Sequence, residues 1–208
     1  MDDLLKPALV VWEKLLPPLP GGKTALQQVL AAYGAPGRHY HTIQHITEMT
    51  QLLLEQQQLL PGTENVLFAC LWHDFVYDAQ RSDNEEKSAE FWRAAAGKMQ
   101  IPPAQIARVA ELILATRKHQ PGDASLEMAL FLDADLAILG ATPERYAAYA
   151  QGVRQEYAHV PEADYRAGRS AVLKRFLDRP QLYFTAEMRA RFEAQARTNI
   201  AMEIHSLN

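Results

Sequence analysis

Apolar positions along this chain recur at helical spacing, in blocks bounded by proline and glycine. A first block, from Asp3 to Leu16, stops at Pro17-Pro18, and a second, from Lys23 to Tyr33, stops at Gly34. After a Pro36-Gly37 turn, His41, His45, Met49 and Leu52 fall on one stripe of a helix expected to reach about Gln58. Its two apolar members point that stripe inward. Pro61-Gly62-Thr63 then precedes a nearly unbroken apolar run, Val66-Leu67-Phe68-Ala69-Cys70-Leu71-Trp72, which ends in His73-Asp74 and sets both on a helix. Asp83-Asn84-Glu85-Glu86 has the form of an N-cap with a carboxylate three positions on, opening a helix to about Gly97. Pro102-Pro103 opens the next, which runs to His119 and is stopped by Pro121-Gly122. A second apolar run, Ala129 to Leu139, carries Asp133 and Asp135 and ends at Gly140. Thr142-Pro143 caps and opens its successor, and Pro161 and Thr185 begin the last two. No segment alternates with period two between hairpin turns. The expected fold is all-α, a compact single-domain helical bundle spanning residues 1–208.

Length and composition narrow this picture. A chain of 208 residues can bury a two-layer helical core, and 48% apolar residues argue against disorder. The formal charge of -4 comes from 21 basic and 25 acidic residues interspersed along the chain. With no basic block there is no nucleic-acid footprint. The lone cysteine, Cys70, has no partner for an intramolecular disulfide, so a reducing cytoplasm is the expected location. The N-terminus lacks a basic signal region, and no stretch approaches the roughly 20 apolar residues of a membrane span. A soluble monomer or homodimer without a membrane partner is expected.

The candidate chemistry comes from ionisable residues inside apolar runs. A carboxylate there costs several kcal/mol unless something positive compensates it. His73-Asp74 and the Asp133/Asp135 pair are both in that position, and a divalent cation held between helices by imidazole and carboxylate explains them together. His45 alone reads equally as a core histidine bonded to a carbonyl; the company of His73-Asp74 and Asp135 favours a ligand. Asp133 lies about 200° from Asp135 around a helix, so both can hardly serve one ion, and capping or pairing at the core's rim is its expected role.

The order His…His-Asp…Asp, from about Arg38 to Leu139, resembles the HD-domain superfamily of all-helical metal-dependent phosphohydrolases. Val153-Arg154-Gln155-Glu156-Tyr157 and Gly168-Arg169 resemble a small bacterial branch of it, giving a motif core over about 38–139 and a helical extension over about 142–208. The resemblance implies that His45, His73, Asp74 and Asp135 hold the metal, Asp135 being favoured by its Ala134-Asp135-Leu136 setting. Asp74 would bridge two ions in a binuclear site. Tyr40-His41-Thr42-Ile43-Gln44-His45 is similar to the Tyr-His-x-x-x-His of cyclic-nucleotide phosphodiesterases, which implies that His41 protonates the leaving alkoxide, a task suited to imidazole. The alternative for His41 is a hydrogen-bond donor behind the ligands. Glu85, within the branch-like spelling Asn84-Glu85-Glu86-Lys87-Ser88-Ala89, is expected to accept from a metal-bound water, while Glu86 is explained by capping.

His119 is the candidate for a second metal or for substrate, against a plain role at a helix C-terminus. Arg38, Lys118, Arg154 and Arg169 are candidates for holding phosphate, against solvated charges. Tyr77 and Tyr157 are candidates for the pocket wall, and His39, His159 and His205 read as surface. Mixed nitrogen and oxygen ligation suits one or two ions of Mn²⁺, Fe²⁺, Co²⁺ or Zn²⁺ better than Mg²⁺, which stays an alternative. The expected function is metal-dependent hydrolysis of a small-molecule phosphate ester, with nucleotides preferred. A non-catalytic nucleotide-binding regulatory module and a di-iron oxygenase, which needs further histidines, are the alternatives. Absence of His-Glu-x-x-His disfavours a metallopeptidase.

Overall fold

The computed structural model describes residues 2–56, 63–123 and 125–207, and these contain helices and no strand. The order is α1 (Asp2–Leu15), α2 (Gly22–Tyr33), α3 (Ile43–Glu55), α4 (Glu64–Trp72), α5 (Asn84–Lys98), α6 (Pro103–Ala115), α7 (Leu126–Leu136), α8 (Pro143–Glu156), α9 (Glu162–Leu177), α10 (Ala186–Met188) and α11 (Ala194–Leu207). A 3-10 turn, Ala137–Gly140, extends α7, and a π turn, Arg189–Glu193, joins α10 to α11. No described helix is long and apolar enough to cross a membrane.

Capping chemistry sets several boundaries. The side chains of Ser125, Thr142 and Thr185 accept from backbone N–H groups three residues on, opening α7, α8 and α10. Asp83 departs from expectation: its carboxylate pairs with Arg81 instead of capping α5. Three site segments are also not helical where the apolar pattern extends them. Thr42 is extended and α3 starts at Ile43, so His41 stands in the turn ahead of the helix, off the stripe that carries His45 and Met49. The same helix ends at Glu55, and the Pro61-Gly62 break lies outside the described residues. α4 ends at Trp72 because the next groups leave the helical ladder: the Asp74 N–H donates to the Tyr33 hydroxyl (3.2 Å), and the carbonyls of Asp74 and Phe75 accept from Arg38 (2.7 and 2.9 Å). α6 ends at Ala115, and His119 closes the following turn with φ at 45°.

α4 is the central post, with Val66 through Trp72 all buried, and it packs on α3, α5, α6 and α7. One apolar cluster runs from Ala8 on α1 to Ile200 on α11. Two buried indoles within it are paired. The Trp12 indole donates to Thr50 (3.0 Å), and the Trp92 indole to the Ile106 carbonyl (3.0 Å).

Asp133 is fully buried and takes the capping role expected of it. It accepts from the N–H groups of Phe184 (2.7 Å) and Thr185 (2.8 Å) and from the Thr185 hydroxyl (2.8 Å). Burial pushes its carboxyl upward and these donors oppose that shift. Asp133→Ala orphans three donors, for an expected loss of about 2–4 kcal/mol and a drop in Tm on the order of 10 °C. Metal uptake should survive, which thermal melts and metal analysis of the same sample check together.

Candidate metal centre and cavity

The end of α7, the start of α3 and the turn after α4 meet at one point. His45 Nε2 lies 3.2 Å from His73 Nε2 and 3.2 Å from Asp135 Oδ1, and His73 Nε2 lies 3.6 Å from the same oxygen. Ligand atoms of the three residues fall within 4.8 Å of one another, and this buried group can hold a metal ion. The spacing passes a geometric test. Bonds of about 2.0–2.2 Å from a divalent ion to nitrogen or oxygen place neighbouring ligand atoms about 3–3.5 Å apart.

The outer ring nitrogens are already engaged. His73 Nδ1 donates to the Cys70 carbonyl (3.0 Å) and His45 Nδ1 meets the Tyr40 hydroxyl (3.0 Å), leaving both Nε2 atoms facing the shared point. Asp74 joins from the side, its Oδ2 3.0 Å from His73 Nε2 and 3.9 Å from His41 Nε2. His119 Nε2 reaches the second oxygen of Asp135 at 2.8 Å.

The charges are mutually compensating. Burial lowers His45, with Asp135 pulling the other way. Against the lowering effect of burial, the carboxylates of Asp74 and Asp135 raise His73 to about 9. Burial opposes ionisation of both carboxylates, yet His73 with His41 pulls Asp74 below its ordinary value, and His73 with His119 and His45 does the same to Asp135.

A residue that sequence reading gave no role organises the rest. Glu156, at the end of α8, accepts through Oε1 from the N–H groups of His39 (2.8 Å), Tyr40 (2.8 Å) and His41 (3.0 Å). Its Oε2 meets His41 Nδ1 (2.8 Å) and accepts from the Tyr77 hydroxyl (3.0 Å), while Tyr77 stacks on the His41 ring at 3.9 Å. Despite burial, these donors and the His41 imidazole hold Glu156 down at about 2. α8 closes on this loop at Gly152, where a Cβ would meet His39 backbone atoms and the Tyr40 Cβ at 3.1 Å. The available signal was a carboxylate on an apolar stripe: Tyr146, Tyr149, Val153 and Glu156 are all buried.

Glu156→Gln turns an amide N–H toward two donors. His41 should lose its orientation, and activity should fall about 10–100-fold with metal content intact. A carboxylate held below its unfolded value near 4.3 stabilises the fold above that pH, and the contribution is lost as pH falls toward 2. The variant should therefore show a flatter loss of stability between about pH 5 and 2 than wild type, read by urea titrations across that range.

The spelling Asn84-Glu85-x-x-Ser88 also acquires a structural meaning. Asn84 bonds the backbone of Asp78 in both directions (3.2 and 2.9 Å) and Ser88 Oγ accepts from Val76 N–H (3.0 Å), closing the loop after the His-Asp turn. Glu85 is left facing a cavity, half-buried and without a hydrogen bond to another residue among those described; burial and then the Asp74 and Glu86 carboxylates raise it. Glu86, expected to cap α5, instead pairs with Arg117 in the turn after α6.

The cavity holds about 1090 Å³, with His41, Asp74, His119 and Asp135 on its floor and Tyr149, Tyr157 and Tyr165 on its wall. Of the cations expected at phosphate, Lys118 and Arg169 line it. Arg169 is paired with Glu203 through two bonds (2.8 and 3.1 Å). Arg38 and Arg154 are placed elsewhere. Arg38 donates to the carbonyls of His41, Asp74 and Phe75 and lies between the Tyr33 and Tyr77 rings. Arg154 donates to Glu162 and to the carbonyls of Tyr157 and Val160. Both guanidiniums hold backbone in place, and neither lines the cavity. His39, His159 and His205 are exposed.

No protein-family model matches the chain, and no curated protein or solved structure matches it either.

Proposed function

We propose that this protein is a metal-dependent phosphohydrolase of the HD-domain superfamily, acting on a small organic phosphate, with nucleotides the preferred class. The observation that supports it most is the convergence of His45, His73 and Asp135 on one point, with Asp135 and the neighbouring Asp74 lining a large cavity. The family assignment rests on the order of the sequence motifs and is an analogy. A divalent ion bound by His45, His73 and Asp135, with Asp74 as a further or bridging ligand, would polarise a phosphoryl oxygen and lower the pKa of a water. The donor set fits Mn²⁺, Fe²⁺, Co²⁺ or Zn²⁺.

The chain's own residues divide the remaining work. His41, fixed through Nδ1 by Glu156 and stacked on Tyr77, turns Nε2 toward Asp74 at the cavity floor. The proton on Nε2 goes to the departing alkoxide. Glu85 is the acceptor for a proton of the attacking water. His119, anchored on Asp135, takes a second ion or a phosphoryl oxygen. The tyrosine wall, with Tyr149 and Tyr165 buried and Tyr157 half-buried, limits bulk water and strengthens these interactions.

Phosphate release from nucleoside mono-, di- and triphosphates, cyclic nucleotides and sugar phosphates, with each metal and after EDTA, tests this reading. Release that stops with EDTA supports it. Tight nucleotide binding without release favours a regulatory module, and oxygen consumption with reduced iron favours an oxygenase.

A further inference from the structure

We propose that Lys118, Arg175 and Arg179 at the mouth of the cavity form a second anion subsite, so that the substrate is a phosphate ester with a second anionic group on its organic body. The inference rests on the phosphohydrolase reading of the same site. It comes from how the lining cations are compensated. Among the described residues six line the cavity: Arg81, Arg117, Lys118, Arg169, Arg175 and Arg179. Three face a carboxylate, Arg81 with Asp83, Arg117 with Glu86 and Arg169 with Glu203. The other three face none among the described residues, and they share one edge.

Arg179 shows the imbalance best. Its guanidinium donates to the carbonyls of Lys118 (2.9 Å) and His119 (3.0 Å) and lies 4.8 Å from the Phe176 ring centre. Those carbonyls fix its direction without neutralising it, and burial lowers its pKa. A partly desolvated cation with acceptors but no counter-ion favours an anion from outside. Arg175, in the last turn of α9, and Lys118, in the turn after α6, line the same cavity, and both are exposed. Asp178 reaches the same mouth and makes no ion pair with any of the three.

Position ties this edge to the reaction site. Lys118 and His119 are consecutive, and His119 Nε2 is 2.8 Å from Asp135. An anion on the three cations thus sits beside the cluster while the scissile phosphate lies over it. The face of α9 between them presents Tyr165, Val172 and Phe176, an apolar surface for the organic body. A simple phosphate does not need about 1090 Å³; that is room for an organic ligand of drug size or larger.

Two matched pairs of probes test this with the Mn²⁺-loaded protein. Adenosine 5′-monophosphate is compared with adenosine 3′,5′-bisphosphate, and phenyl phosphate with 4-carboxyphenyl phosphate. A preference of about 10-fold or more in kcat/KM for the doubly anionic member of either pair is expected, carried mainly by KM. The pair that shows it identifies phosphate or carboxylate as the second group. The double variant Lys118→Ala/Arg175→Ala, at two exposed positions, should erase that preference. Equal kcat/KM within both pairs, or a preference that survives in the variant, overturns the subsite. If no probe is hydrolysed, calorimetry with adenosine 3′,5′-bisphosphate decides the matter separately. About 10-fold weaker binding to the variant keeps the subsite while the hydrolase reading fails, and equal binding overturns the subsite.

Discussion

Asp135→Ala should leave the protein unable to hold a transition metal and lower turnover by about 10³-fold or more. Asp135 meets three imidazoles, with one oxygen toward His45 and His73 and the other on His119. A bound ion supplies several kcal/mol of charge stabilisation to phosphoryl transfer, and about 4 kcal/mol corresponds to roughly three decades in rate. Metal binding also stabilises the fold by mass action. At about 100–1,000 times Kd the gain is about 2.7–4.1 kcal/mol, so excess Mn²⁺ should raise the wild-type Tm on the order of 10 °C. The variant should show no such shift, whereas Asp133→Ala, two residues away and pointing to the α10 cap, should keep it. If Asp133→Ala loses the shift and Asp135→Ala retains it, the ligand assignment on α7 is wrong.

His41→Ala carries the second large effect. Its side chain touches Glu156, Asp74 and Tyr77 and stands outside the His45–His73–Asp135 group, so metal content should be retained. Leaving-group protonation contributes about 10²–10⁴-fold where the departing alkoxide is a poor one. Alkyl phosphates should lose activity in that range, while an activated aryl phosphate should lose about 10-fold or less, because its leaving group departs without a proton. Equal losses on both classes would take His41 out of the acid role and leave it as a support for Asp74.

The parts of this site that were legible in the sequence are those where chemistry and burial conflict. His73 and Asp135 stood out because each interrupts an apolar run, and His45 because it shares an inward stripe with Met49 and Leu52; the structure brings those three together. Helix breaks were legible where proline, glycine or a capping hydroxyl enforces them, as at Gly34, Thr142 and Thr185. The apolar pattern misled where tertiary bonds take over from the helical ladder. His41 precedes α3, and His73-Asp74 follow α4, because Arg38, Tyr33 and Glu156 capture the backbone around them. No local signal announces that Arg38 will serve three carbonyls, or that Arg175 at the end of α9 and Arg179 just beyond it will line the cavity. Glu156 was within reach: a buried carboxylate on the stripe of α8 obeys the logic that exposed Asp135.

Titrating Mn²⁺ into metal-free protein while following phosphate release tests the central claim most directly. Activity should be absent without metal, rise linearly and break at one equivalent per chain, or at two if His119 and a bridging Asp74 complete a second site. Asp135→Ala should stay flat throughout. Full metal occupancy in the wild type with no phosphate released from any substrate offered, or release that proceeds unchanged in Asp135→Ala, would contradict a phosphohydrolase built on this centre.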